Sequence, residues 1–454
     1  MSLKFGAGDP TPKEEIDARI AGLKMLMAES GIDFCVILQH VDLFYFTGSI
    51  QKATLVVTLD GEPPLYFVQR SVERAREETS LPIIEAKGDS QIWRMLKEKG
   101  VLRGRGGMEF DVVPVGVFQR FVKGAGFDNF TDISGLIKGL RVVKSPFELE
   151  QIRKSGAICE AVFVHAPEVI REGVREVDID AALIAVGRRQ GHQGLLRMRG
   201  LNQEMMSIYV TSGYSGTIAS AGDVPVAGIG VTPAIAQGSS MKTVQRGIPV
   251  LVDYGGGYNG YITDETRSYV VGDLEETFRR PYDVAREIVE DTEVFGKEGV
   301  DCTDLFLRAA DKVKRAGLGA HFMGFGADQV SFIGHGLGLE INELPVITAR
   351  HKMVLKEGMA FAFEPKFIFP GKGVVGIEVD FIVRKDKLER VTKTCPPASL
   401  RKGHVHPVHL AFPRLADRPK ILRHLTHLFP SEPLVFTNET TGRACLPVPT
   451  CKAR

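Results

Sequence analysis

Two short apolar runs in the later part of this chain each enclose one carboxylate, Glu364 in MAFAFEPKF and Glu378 in GVVGIEVDF, fourteen residues apart. Runs of this length and composition read as strands of a packed core. A carboxylate carried into such a core loses its hydration, and a buried charge without a partner is strongly disfavoured. Whatever fold the chain adopts must therefore bring cations to both glutamates. Lys366 or Arg384 could supply an ion pair; bound metal ions would supply more charge.

Three further residues bear on that choice. Asp253 and Asp264 lie eleven residues apart on two strand-like runs joined by GGGYNG, a turn that folds facing strands together. An aspartate beside a turn commonly just caps it. Here, however, the pair can converge with the glutamates into a set of hard oxygen ligands. His335, in SFIGHGLGLEINELP, has glycines on both sides, which let the backbone approach closely and clear bulk from around the imidazole. Ion pairing alone does not account for the aspartates and the glycine-flanked histidine. A pair of divalent ions held by Asp253, Asp264, His335, Glu364 and Glu378 does, with manganese, cobalt, zinc or iron all acceptable to such ligands.

At 454 residues the chain exceeds what one core usually serves, so two domains are expected. Residues 13 to 30 place Ile16, Ile20, Leu23 and Met27 at helical spacing, with Gly31 as the stop. The runs FCVIL, ATLVVTL, PLYFV and PIIEA then alternate with helical stretches such as SVERAREETS, an α/β pattern. Ser145, Pro146 and Glu148 form a capping box that starts a long helix and marks the domain junction. Beyond it, helical patterns precede strand-like ones, an α+β order. Residues 213 to 240, dense in Gly, Ser and Ala, form either a mobile loop or a site lining.

The 57 basic and 56 acidic residues nearly cancel, leaving no bias toward nucleic acid or an acidic partner. No apolar run has signal-peptide or membrane-span length, so a soluble cytoplasmic protein without a membrane partner is expected. The six cysteines lack CxxC spacing and read as reduced and structural. From about Cys395 periodicity disappears; residues 394 to 454 form a tail without assigned structure or function, although His404, His406 and His409 could make a metal-binding tract.

The five candidate ligands, in this order and spacing, resemble those of the pita-bread metallopeptidases, the family of methionine aminopeptidase, aminopeptidase P, prolidase and creatinase. The resemblance rests on Asp253 to Arg267 (DYGGGYNGYITDETR), Gly334 to Glu340 (GHGLGLE), Gly358 to Pro365 (GMAFAFEP) and Gly376 to Asp380 (GIEVD). Leu43 to Gly48 (LFYFTG) and Arg141 to Arg153 (RVVKSPFELEQIR) extend it to the two-domain members. It implies an α/β creatinase-like N-terminal domain over 14–138, an α+β pita-bread catalytic domain over 146–393, and a homodimer. It further implies that Asp264 and Glu378 bridge both metals, Asp253 completes one, and His335 with Glu364 completes the other. The activity implied is Xaa-Pro exopeptidase hydrolysis by a dimetal-bound hydroxide, with Glu364 receiving its proton.

Three substrate-side positions depart from the family pattern. A second histidine after the GHGxGLE element is Asn342, the histidine upstream of the first metal aspartate is replaced near Gln237, and an arginine before the last glutamate is Gly376. Asn342 and Gln237 are the candidate hydrogen-bond donors to substrate in place of the histidines. The same departures leave open a hydrolase or lyase of this fold acting on a small metabolite, and a catalytically silent binding protein.

Overall fold

In the computed structural model, which describes residues 8–60, 63–392 and 405–407, the first helical pattern forms the helix Lys13–Glu29. Ile16, Ile20, Leu23 and Met27 all turn inward, and Gly31 leaves the helix in the left-handed region at φ 64°. The four apolar runs that follow become strands of one mixed sheet. Its order is Ile83–Glu85, Leu65–Val68, Ala53–Thr58, Phe34–Ile37, Gly106–Met108 and Phe130–Asp132. Cys35 and Ile37 pack into one core and Phe34 and Val36 into another. This sheet is therefore covered on both faces, which is why its strands read as unbroken apolar runs.

The capping box forms as expected: Glu148 N–H donates to Ser145 Oγ at 3.2 Å and Ser145 N–H to Glu148 Oε2 at 3.0 Å. It opens the helix Pro146–Val169. With Glu176–Arg189, this helix backs a four-stranded sheet ordered Val405–Pro407, Tyr261–Val271, Pro249–Tyr258 and Ile208–Ser212. The helices Glu276–Phe295 and Cys302–Arg315 back a second, antiparallel sheet: Glu343–Thr348, Phe332–Gly336, Ala360–Phe363, Val379–Val383 and Leu388–Arg390. Among the described residues no helix is long and apolar enough to cross a membrane.

Two runs that read as single strands are each broken at their glutamate. MAFAFEPKFIF divides into Ala360–Phe363 and Lys366–Phe369, and VVGIEVDFIVR into Gly373–Gly376 and Val379–Val383. Pro365 has no N–H to continue a ladder. Glu378 exchanges backbone hydrogen bonds with Thr266 of the four-stranded sheet instead, its N–H lying 3.1 Å from Thr266 O. Both glutamates thus sit where the two sheets of the C-terminal half meet. The backbone of Val405–Pro407 pairs with the edge of Tyr261–Val271; His404, His409 and the rest of the tail lie outside the described residues, as do Cys395, Cys445 and Cys451. Cys35, Cys159 and Cys302 are free and buried.

Candidate metal centre

The GGGYNG turn is a two-residue hairpin, Tyr258 pairing with Tyr261 across Asn259 and Gly260, both at positive φ (51° and 86°). Asn-Gly suits this turn because both central residues need the left-handed region. The resulting register sets Asp264 opposite Gly255 and Asp253 opposite Thr266. Cross-strand partners share a face, as do residues two apart, so Asp253 and Asp264 lie diagonally on one face.

His335 comes from the other sheet, paired with Ala362 on one side and Val346 on the other. Its flanking glycines are sterically required. A Cβ on Gly334 would lie 2.3 Å from Ala362 O, and one on Gly336 would lie 2.0 Å from Leu344 O. His335 Nε2 faces Asp264 Oδ2 at 3.7 Å, Glu364 Oε1 at 3.9 Å and Glu378 Oε1 at 4.0 Å. One ligand atom each from Asp264, His335 and Glu378 lies within 4.8 Å of the others. Glu378 Oε1 is buried without any hydrogen-bond donor, whereas Oε2 accepts from Thr266 Oγ1 at 2.7 Å. An orphaned carboxylate oxygen beside an imidazole and a second carboxylate fits a divalent cation.

The remaining space is filled differently. Lys366 Nζ donates to Asp253 Oδ2 at 3.0 Å, Glu364 Oε2 at 2.9 Å and Glu378 Oε2 at 2.8 Å. The five expected ligands gather in one place, with the Lys366 ammonium between Asp253 and the two glutamates, and the ligand atoms of Asp264, His335 and Glu378 converge. Arg384, the other cation considered from sequence, pairs with Glu389 instead.

Electrostatics follow from this crowding. Burial first, then the neighbouring Glu378 and Asp253 carboxylates, hold Asp264 well above the usual carboxylate range. Burial likewise raises Glu378, with Lys366 opposing it. Burial lowers Lys366, but Asp253, Glu364, Glu378 and Asp264 outweigh it and keep the ammonium charged.

A cleft of about 310 Å³ opens onto Asp253, Asp264, His335, Glu364 and Lys366. Leu196, Met198, Met205, Met206 and Tyr209 wall it, and Asp223 to Val226 of the Gly/Ser/Ala-rich loop complete the lining. Asn342 lies on the wall with both ends of its amide engaged: Oδ1 accepts from Arg199 N–H and Nδ2 donates to Arg199 O, each at 2.9 Å. Gln237 is not part of the lining; its Oε1 accepts from Tyr209 OH at 3.2 Å and its Nε2 donates to Glu204 O at 3.1 Å. Sequence reasoning passed over the methionine wall, whose signal was the three methionines of RMRGLNQEMMS in an otherwise polar stretch. It also underrated Lys366, which stands two residues after Glu364.

Comparison with known proteins agrees with this architecture. Residues 150–385 match Metallopeptidase family M24, and residues 19–143 match the Creatinase/Prolidase N-terminal domain. The chain is similar to the Xaa-Pro dipeptidase of Pyrococcus furiosus, with 30% identity over 377 residues, 83% of this chain and 98% of that protein. Among solved structures it resembles the Xaa-Pro dipeptidase from Bacillus anthracis at a TM-score of 0.72 and 25% identity, covering 84% of this chain and 98% of that one. It also resembles the prolidase from Pyrococcus furiosus at a TM-score of 0.68 and 27% identity, covering 82% and 99%.

Proposed function

The chain belongs to metallopeptidase family M24, and from that premise we propose that it is a metal-dependent exopeptidase of the Xaa-Pro type acting on dipeptides. One observation carries the reading: Asp264 and His335, which converge with Glu378, line a cleft of only about 310 Å³. Ligand pockets run from roughly 300 to 1,000 Å³, so this one has room for a dipeptide and little more. Three relatives of matching length are named Xaa-Pro dipeptidases.

A divalent ion held by Asp264, His335 and Glu378 would lower the pKa of a water molecule and polarise the scissile carbonyl. Glu364 is the proton acceptor: Oε2 is anchored on Lys366 while Oε1 faces His335 and the cleft, where it can take a proton from the attacking water and return it to the leaving amine. Lys366 and Thr266 fix the glutamate carboxylates in place. The methionine and leucine wall excludes bulk water and can adapt to different side chains. Asn342 acts in this reading by holding the Arg199 backbone next to Met198 of the cleft wall and Gln237 by holding Tyr209, and Asn342 keeps one N–H for substrate.

The test is a panel of Xaa-Pro dipeptides, other dipeptides and Xaa-Pro tripeptides with manganese-loaded protein. Turnover is expected on Xaa-Pro dipeptides and to fall sharply with the longer chain. Absence of turnover on every member, with bound metal verified, would overturn the proposal. A small non-peptide substrate is the second reading, favoured by His335 being the sole histidine lining the cleft among the described residues. The double variant Asn342→His, Gln237→His discriminates: a large gain in peptide cleavage counts against the second reading.

A further inference from the structure

We propose that Lys366 stands where a second metal ion would otherwise sit, making this a single-ion centre in which an ammonium replaces one cation of a pair. The inference rests on the metal-centre reading given above and specifies its composition. An ammonium has three N–H donors, and Nζ finds one carboxylate oxygen for each, from Asp253, Glu364 and Glu378 at 2.8–3.0 Å. Glu364 and Glu378 each give one oxygen to Lys366 and turn the other toward His335, so they bridge two cation positions as carboxylates bridge two metals.

Backbone register makes the place for this side chain. Lys366 pairs directly with Gly376, and Gly376 lies two residues before Glu378. Glu364 and Glu378 stand just beyond the paired ends of these two strands, and Nζ reaches both. A Cβ on residue 376 would fall 2.6 Å from Lys366 Cγ, so glycine there leaves the corridor along which the lysine stem reaches the carboxylates. The missing arginine before the last glutamate and the lysine after Glu364 are thus one feature seen from two strands: the positive charge reaches the cluster from across the hairpin.

Burial disfavours displacement of the ammonium by an ion. Lys366 is 2% exposed, and moving off the three carboxylates would leave a buried charge unpaired.

The experiment is metal analysis of full-length protein equilibrated with excess manganese, together with electron paramagnetic resonance of the bound ion. The wild-type chain is expected to hold one manganese with the spectrum of an isolated ion, and Lys366→Ala to hold two with an exchange-coupled spectrum. Two coupled ions in the wild type would overturn the inference, a result that does not depend on the variant folding. A folded Lys366→Ala protein that stays at one ion would overturn it as well. No ion in either protein would instead overturn the metal-dependent reading of the whole centre.

Discussion

Two clusters of buried charge lie close together in this molecule, and their electrostatics run in opposite directions. At the seam between the N-terminal sheet and the catalytic half, Arg141 pairs with Asp42 at 2.8 Å and Glu340 at 2.9 Å. Arg199 pairs with Asp42 and Asp111, Lys144 with Glu343, and Lys138 with Asp111. Four cations thus answer Asp42, Asp111, Glu340 and Glu343. At the metal centre Lys366 alone among the described residues answers Asp253, Asp264, Glu364 and Glu378. Burial pushes Glu340 up at the seam, but against the same burial Arg141 and Lys144 pull Glu343 down to about 2, while at the metal centre burial and neighbouring carboxylates hold Asp264 and Glu378 well above the usual range. A buried cluster whose charges match is joinery. One left short of cations is a binding site.

If that distinction is right, substitutions at the two clusters fail in different ways. Glu364→Gln should have the largest effect, lowering kcat by roughly 100- to 10,000-fold, as expected for loss of a proton acceptor. Its metal content and melting temperature should stay near those of the wild type. A near-normal kcat would remove Glu364 from the chemistry.

Arg141→Met at the seam should instead leave the centre's metal affinity intact and cost about 3–5 kcal/mol of stability, since it removes the one cation shared by three buried acids. Urea denaturation measures this. A loss below about 1 kcal/mol would show that the seam is not held by its charge balance.

The pH dependence sharpens the same contrast. Glu343 has a folded pKa below its unfolded value, so its contribution is complete above the ordinary glutamate range and is lost as pH falls from about 4.5 toward about 2. The difference corresponds to on the order of 3 kcal/mol. Glu343→Gln should therefore flatten the acid limb of the stability curve. An unchanged limb would place the acid sensitivity elsewhere.

A smaller effect is expected from Asn342→Ala, which removes two hydrogen bonds to the Arg199 backbone. Loosening that segment over the cleft should raise KM by roughly tenfold, equivalent to about 1.4 kcal/mol, with kcat little changed. A loss confined to kcat would mean that Asn342 acts on the transition state directly.

Much of this contrast was legible before any coordinates. The helical stripe from Ile16 to Met27, the Ser145–Glu148 box and the Asn259–Gly260 hairpin are local signals, and each formed as its residues dictate. The glycines around His335 also announced a close backbone approach, which the sheet enforces. What escaped was pairing over distance. Lys366 could be seen beside Glu364, but its reach to Asp253 depends on the Lys366–Gly376 register, which no local pattern records. The breaks at Glu364 and Glu378 were hidden because apolar runs on either side belong to different sheets. Likewise Asn342 and Gln237 looked like free donors, because the backbone and hydroxyl groups that engage them are 143 and 28 residues away in the chain.

The central claim is that the cluster short of cations performs hydrolysis through the ion it holds. Its most direct test is the hydrolysis rate of an Xaa-Pro dipeptide by one protein sample as purified, after chelation, and after manganese is restored. Turnover should disappear on chelation and return with the metal, while the fold, held by the balanced seam, persists throughout. Undiminished turnover in a sample shown to be free of metal would contradict the account.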